Sequence, residues 1–240
     1  MEPKSRAGTV QDSVYINLRK SIINLNLAPG TAISEQEIAL RYKVSRTPVR
    51  ETFIHLAKEG LIQVFPQRET LVSRIDFSRV EQEFFLRESL EMAVLEPFIE
   101  KGRPEDFITL EGLIQKQNAA FENNDYIHFV DLDDDFHRMF FETAGQDLSW
   151  AVLANMCGHY HRIRLLTIRL RGTAKNILGQ HKKLLGALKK KESGKAREIL
   201  REHLHKLGAE EKMLREEFPG YFVSPGDTDT FDVDFGGLSF

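Results

Sequence analysis

From Asp76 to Phe218 the apolar residues return every three to four positions, in segments divided by short polar turns. No stretch alternates apolar and polar residues over the length of a strand. A pattern of that kind leaves one economical fold, an all-α antiparallel helical bundle. The spacing predicts six helices. The first runs from an Asp76 or Ser78 cap toward Lys101, with Val80, Phe84, Arg87, Leu90, Val94 and Phe98 on its stripe and Pro97 as a kink site. The second starts at Pro104 and ends near Asn123-Asn124. Asp125 caps the third, which runs to about Thr143 and stops at Gly145. The fourth spans Asp147 to Leu170 before Gly172. Thr173 caps the fifth, to about Lys191, and Ser193 caps the sixth, to about Phe218.

The first 74 residues read differently. Val10 to Asn26 forms a helix with Val14, Leu18, Ile22 and Leu25 on one stripe, and Pro29-Gly30 turns the chain. Ser34 opens a second helix with Glu37 three residues on, a capping box, packed by Ile38 and Leu40. Ser45 caps a third, whose Val49, Phe53 and Leu56 make an apolar face and which Gly60 ends. Leu61 to Phe65 and Thr70 to Ser73 are β-prone around the turn Pro66-Gln67-Arg68-Glu69. Three helices and a hairpin give a winged helix-turn-helix. The fold class expected is mostly α: a winged helix-turn-helix with a β-hairpin wing (1–74), an all-α antiparallel bundle (75–218), and a tail (219–240) that is flexible or a strand docking on a partner.

The third helix carries the chemistry of the first domain. Arg46 and Arg50 stand four residues apart, on a side away from the apolar face. Ser45 and Thr47 add small hydroxyls at its N-terminal end, the end that reads base edges when a helix enters the major groove. Charge agrees. Residues 1–74 hold 11 Lys and Arg against 7 Asp and Glu, residues 75–218 hold 22 against 25, and the last 22 residues hold four aspartates and no basic residue. A basic first domain on a mildly acidic body suits a polyanionic partner. One cysteine, Cys157, excludes an internal disulfide and fits a reducing compartment. Neither a signal peptide nor a membrane-spanning run is expected, so the chain reads as cytoplasmic.

The bundle holds a second constellation. Asp133 and His137 share a helical face with Val130 and Phe140. His181 falls in the stripe Leu178, Leu185, Leu188, and His203 in the stripe Ala196, Leu200, Leu207. Three imidazoles and a carboxylate pointing inward from three helices suit a divalent ion such as Zn, Ni, Mn or Fe. The alternative is a set of hydrogen-bonded core histidines. His128, His159, His161 and His205 show no such pattern. Arg162, Arg164, Arg169 and Arg171 are open between surface, interface and pocket.

Val44-Ser45-Arg46-Thr47-Pro48-Val49-Arg50-Glu51, with Pro29-Gly30 before it and Glu59-Gly60-Leu61-Ile62 after it, resembles the winged-helix domain of GntR-family bacterial transcription regulators. The resemblance implies that Arg46 and Arg50 contact operator bases and phosphates, with Ser45 and Thr47 beside them. Gln36 stands where that family often has a DNA-contacting arginine. Glu69 stands where the wing turn often has glycine, which leaves Arg68 as the wing's DNA contact. In the body, Leu132-Asp133-Asp134-Asp135-Phe136-His137, Ala144-Gly145, Gln180-His181 and His203-Leu204 resemble the FadR-type effector domain (FCD) of these regulators, and Arg87-Glu88-Ser89-Leu90-Glu91 its first helix. The resemblance implies a divalent metal on Asp133, His137, His181 and His203, completed by a small carboxylate effector. It offers Arg87 as a bidentate partner of that carboxylate, against a plain salt bridge to Glu91. Gln180 replaces a frequent glutamate.

The function expected is a ligand-responsive repressor acting as a homodimer on pseudo-palindromic double-stranded operator DNA. The alternatives are a metalloenzyme using the Asp/His cluster and a metal-free regulator with the same DNA-binding domain.

Overall fold

A computed structural model describes residues 10–171, 173–205 and 211–224. The chain divides into two compact units. One comprises the chain up to Asp76 together with the segment from Phe218 onward; the other is Phe77–Glu217.

In the first unit, α1 (Val10–Ile23), α2 (Glu35–Tyr42) and α3 (Arg46–Lys58) pack with a small sheet. The buried set Val14, Leu18, Ile22, Ile33, Ile38, Val49, Phe53, Leu56, Leu61, Ile62 and Val72 forms its core. The wing is the expected hairpin, β2 (Ile62–Val64) with β3 (Thr70–Val72). A strand that the sequence does not announce, β1 (Ala32–Ile33), pairs antiparallel with β3, so the sheet order is β1-β3-β2. Two residues are too short for an alternating pattern to register.

Capping is met partly as expected. Ser34 Oγ accepts from Glu37 N, the expected N-cap bond, and donates to the Glu37 carboxylate. Ser45 makes no side-chain capping bond. Pro48, in the first turn, removes a backbone N–H that an N-cap hydroxyl ordinarily reaches. Leu40, expected in the core, is 71% exposed; Ile38 and Ala39 are the residues α2 buries. The first helix ends at Ile23, because Leu25 takes a left-handed backbone with φ 61. In the wing turn the left-handed residue is Gln67 (φ 58). The turn therefore has no call for glycine at Glu69, whose carbonyl accepts from Phe65 N at 2.8 Å. Of the tail, Tyr221 O accepts from Ile75 N at 2.8 Å and Val223 N donates to Ile75 O at 3.0 Å. Residues 225–240 lie outside the described residues.

The second unit is all helical among the described residues: α4 (Phe77–Lys101), α5 (Pro104–Glu122), α6 (Tyr126–Ala144), α7 (Asp147–Met156), α8 (Gly158–Arg171), α9 (Ala174–Lys189), α10 (Ser193–Leu204) and α11 (Glu211–Glu217). Packing closes a ring. Helix α4 meets α6, α6 meets α5, α5 meets α9, α9 meets α10, and α10 returns to α4. Helix α8 lies against α4 and α6. Asp125 caps α6 through His128 N, and Gly145 ends it at φ 74, both as expected. Other caps and boundaries differ. Thr173 makes no side-chain cap, Ser193 lies inside α10 and donates to Glu96, and the expected last helix appears as α10 and α11 with residues 206–210 outside the description.

The expected helix Asp147–Leu170 is two helices, broken at Cys157. The break is served from a distance. Glu83 of α4, 2% exposed, accepts from Tyr160 N at 2.8 Å and so caps the first turn of α8. No local sequence signal announces a cap supplied by another helix. Burial pushes the Glu83 carboxyl up to about 7 from an ordinary 4.5, against the pull of the Tyr160 N–H and Arg79. The unfolded chain therefore ionises at this position first. Stability present below pH 4.5 is lost as pH rises toward 7, by about 3 kcal/mol at most. Chemical denaturation of wild type and Glu83→Gln at pH 5 and pH 8 checks this. The wild type falls relative to the variant between the two values; an unchanged difference contradicts the assignment.

Among the described residues no helix is long and apolar enough to cross a membrane.

Candidate functional site

On the first unit, Gln36, Ser45, Arg46, Thr47 and Arg50 are all exposed. Val49, Thr52, Phe53 and Leu56 bury the opposite face of α3. The helix is thus anchored on one side and presents its N-terminal arginines on the other. Gln36 lies against that group, its Oε1 accepting from Arg46 Nη2 at 3.0 Å. Arg68 is exposed in the wing turn.

On the second unit, every helix of the ring and α8 send a polar side chain inward. Helix α6 supplies Asp133 and His137, α9 supplies His181, and α10 supplies His203. One potential ligand atom from each lies within 4.8 Å of all the others. His137 Nε2 stands 3.1 Å from His203 Nε2 and 3.8 Å from Asp133 Oδ2, and His181 Nε2 is 3.3 Å from Asp133 Oδ1. Donors bound to an ion at about 2.0–2.1 Å sit roughly 3–3.5 Å from one another. The closest pairs stand at that spacing, and the widest, within 4.8 Å, exceed it.

The surrounding helices fix the tautomers. His137 Nδ1 faces the Glu91 carboxylate of α4 at 2.5 Å, and both side chains are fully buried. His181 Nδ1 donates to Gln117 Oε1 of α5 at 2.9 Å, and His203 Nδ1 to Gln180 Oε1 at 3.3 Å. With the Nδ1 atoms as donors, each Nε2 carries a bare lone pair turned toward the same point. Two lone pairs facing at 3.1 Å repel, and a cation between them removes the conflict. His181 Nε2 is buried without a hydrogen-bond partner. Such an orphan is costly unless something else meets it.

Charge follows the same logic. Burial drives His181 down to about 3 and His203 well below its ordinary value, so both rings are neutral. Burial alone would raise the Asp133 carboxyl. The Arg164 guanidinium, donating to its Oδ2, instead holds it well below the carboxylate range. A buried carboxylate converging with imidazole nitrogens from three helices is the donor set of a divalent cation.

Sequence reasoning placed the four cluster residues and missed their supports. Gln117 also donates to Asp133 Oδ1 at 3.1 Å, yet a single glutamine in a helix carries no signal. Gln180 passes its amide on to Glu202 Oε1 at 3.2 Å, where a glutamate would repel. Of the four arginines left open, Arg162 and Arg164 are buried and Arg169 is exposed. Arg164 is central: it donates to Asp133 Oδ2 at 2.5 Å and to Asp134 Oδ1 at 2.6 Å. Arg87 makes the salt bridge to Glu91, at 2.6 Å, and also reaches Asp134 at 3.1 Å. His161, expected to be ordinary, stands 3.4 Å from Asp134.

Known proteins resemble the chain along most of its length. Residues 10–72 match the family described as bacterial regulatory proteins, gntR family, and residues 83–206 match the FCD domain. The HTH-type transcriptional repressor RspR of Escherichia coli K12 is 32% identical over 89% of this chain and 93% of its own. An HTH-type transcriptional regulator from Streptomyces ambofaciens is 33% identical over 92% of both chains. Among solved structures, E. coli McbR/YncC superposes with a TM-score of 0.74 at 19% identity, covering 88% of this chain and 99% of that one. The two sequence relatives are named as transcription regulators, which sets the enzyme alternative aside. The chain belongs to the GntR family of bacterial transcription regulators, with an FCD domain as its helical body.

Proposed function

We propose that this protein is a metal-dependent repressor of the FadR type that answers to a small carboxylic acid. The observation that carries the reading is the convergence of three bare imidazole nitrogens and the Asp133 carboxylate, with His181 Nε2 unpartnered, inside an FCD body. Asp133, His137, His181 and His203 would hold a divalent ion. Bound there, the ion offers a Lewis-acid position to a carboxylate oxygen.

The chain's own residues do the rest. Glu91, Gln117 and Gln180 keep the three rings in the right tautomer. Arg87 keeps Nη2 buried and without a partner, a donor for an incoming anion. Two subunits pair through their helical bodies and place two α3 helices on a pseudo-palindromic operator. Arg46 and Arg50 contact bases and phosphates, with Ser45, Thr47, Gln36 and Arg68 as further contacts. A ligand that binds one arrangement of the dimer better than another shifts the population and so operator affinity.

Elemental analysis tests the metal directly. Protein stripped by chelator and reloaded is expected to retain about one divalent ion per chain after desalting. No retained ion with Zn, Ni, Mn or Fe would leave a metal-free regulator.

A further inference from the structure

Asp134 is not a member of the cluster, yet it occupies the arginines beside it. Its carboxylate accepts from Arg164 Nη1 at 2.6 Å and Arg87 Nη1 at 3.1 Å, and His161 Nδ1 stands 3.4 Å away. Both arginines are buried, at 4% and 8% exposure, whereas the Asp134 side chain is 26% exposed. It is therefore the charged group here that solvent reaches. Tyr160 lies under both guanidinium groups, with Arg87 Cζ 5.5 Å and Arg164 Cζ 5.8 Å from the ring centroid, and holds them in place.

The charges can be assigned one by one. Counted at their ordinary ionisation, Arg87 and Arg164 are cationic and Glu91, Asp133 and Asp134 anionic, each carboxylate ion-paired to one or both guanidinium groups. These five side chains together are one negative charge in excess. A divalent ion turns it to one positive charge. Without Asp134 it would be two. The donor left for a ligand is also single in kind, the unpartnered Nη2 of Arg87.

We propose that Asp134 sets the charge of the effector: by sitting on Arg87 and Arg164 it matches the site to a singly charged carboxylate and excludes a dicarboxylate. This rests on the metal-and-carboxylate reading above. A second carboxylate finds the Nη1 donors of both arginines already taken by an acidic side chain. It also meets Asp134 itself, and like charges at such distances in a partly buried site cost on the order of tenfold or more in affinity.

The test uses full-length Zn-loaded protein and matched probes that differ by one carboxylate: lactate and malate, gluconate and glucarate, benzoate and phthalate. Affinities come from calorimetry or thermal shift, for wild type, Asp134→Asn and Asp134→Ser. The asparagine variant keeps the shape and an acceptor oxygen for the arginines while removing the charge. The serine variant empties the position. Zinc content is measured for each. Wild type is expected to favour the monocarboxylate of any pair that binds. Both variants are expected to retain zinc and to shift that ratio at least about tenfold toward the dicarboxylate. An unchanged ratio in zinc-containing variants overturns the role of Asp134 and leaves the effector reading standing. Loss of zinc from both variants also overturns it, by making Asp134 part of the metal site. If no probe binds wild type or variant while zinc is retained, the carboxylate reading fails and this assignment fails with it.

Discussion

Replacing Arg46 and Arg50 together by alanine is expected to weaken operator binding by about 2–6 kcal/mol, each arginine contributing about 1–3. Both side chains are exposed at the N-terminal end of α3, so the unit that carries them has little reason to unfold when they are lost. The single variants should differ from one another. Arg46 is held by Gln36 and presents a fixed guanidinium suited to a base edge, whereas the Arg50 side chain is exposed and makes no hydrogen bond or ion pair among the described residues. Loss of a base contact relaxes specificity at one position. Loss of a phosphate contact weakens all sequences alike and lowers the salt slope by about one. Fluorescence anisotropy at several salt concentrations, on DNA selected from a random pool by the wild type, separates the two. Unchanged affinity in the double variant would remove α3 as the recognition helix.

The second large effect concerns metal and stability. A ligand that binds only the folded state stabilises by about 4 kcal/mol at a thousand times its dissociation constant. For a body of this size that is on the order of 10 °C in melting temperature. Saturating Zn is therefore expected to raise the melting temperature of wild type strongly, and of His181→Ala hardly at all. The comparison must be the metal-induced shift within each protein. His181 is fully buried, stacks on Phe136 with centroids 4.1 Å apart and donates to Gln117, so its loss also costs the apo protein. A variant that retains the wild-type shift would exclude His181 as a ligand.

Much of this architecture is legible in the chain. Periodicity reveals helices wherever their caps are local, as with Asp125 and Gly145 around α6. It fails where a distant residue does the capping. Glu83 satisfies the start of α8 from α4, so the break at Cys157 leaves no mark beyond a glycine. The same division holds at the site. Asp133, His137, His181 and His203 are visible because each interrupts an apolar stripe. Glu91, Gln117, Arg164 and Asp134 are polar residues whose roles depend on which helix lies opposite, and spacing along one helix does not encode that. The wing shows a third case. A glycine preference at Glu69 presupposes a turn geometry, and this turn puts its left-handed residue at Gln67 instead.

On the proposed function, the body senses a ligand and α3 reports it. The direct measurement is operator affinity of the wild type in three states: stripped of metal, Zn-loaded, and Zn-loaded with saturating amounts of the best-binding carboxylate of the panel above. Coupling between two sites is ordinarily worth about 1–3 kcal/mol. A change in operator affinity of about 5- to 150-fold is expected between the stripped and fully loaded states, lost in His181→Ala. Identical affinity in all three states, from protein shown to hold the metal and the carboxylate, would contradict it.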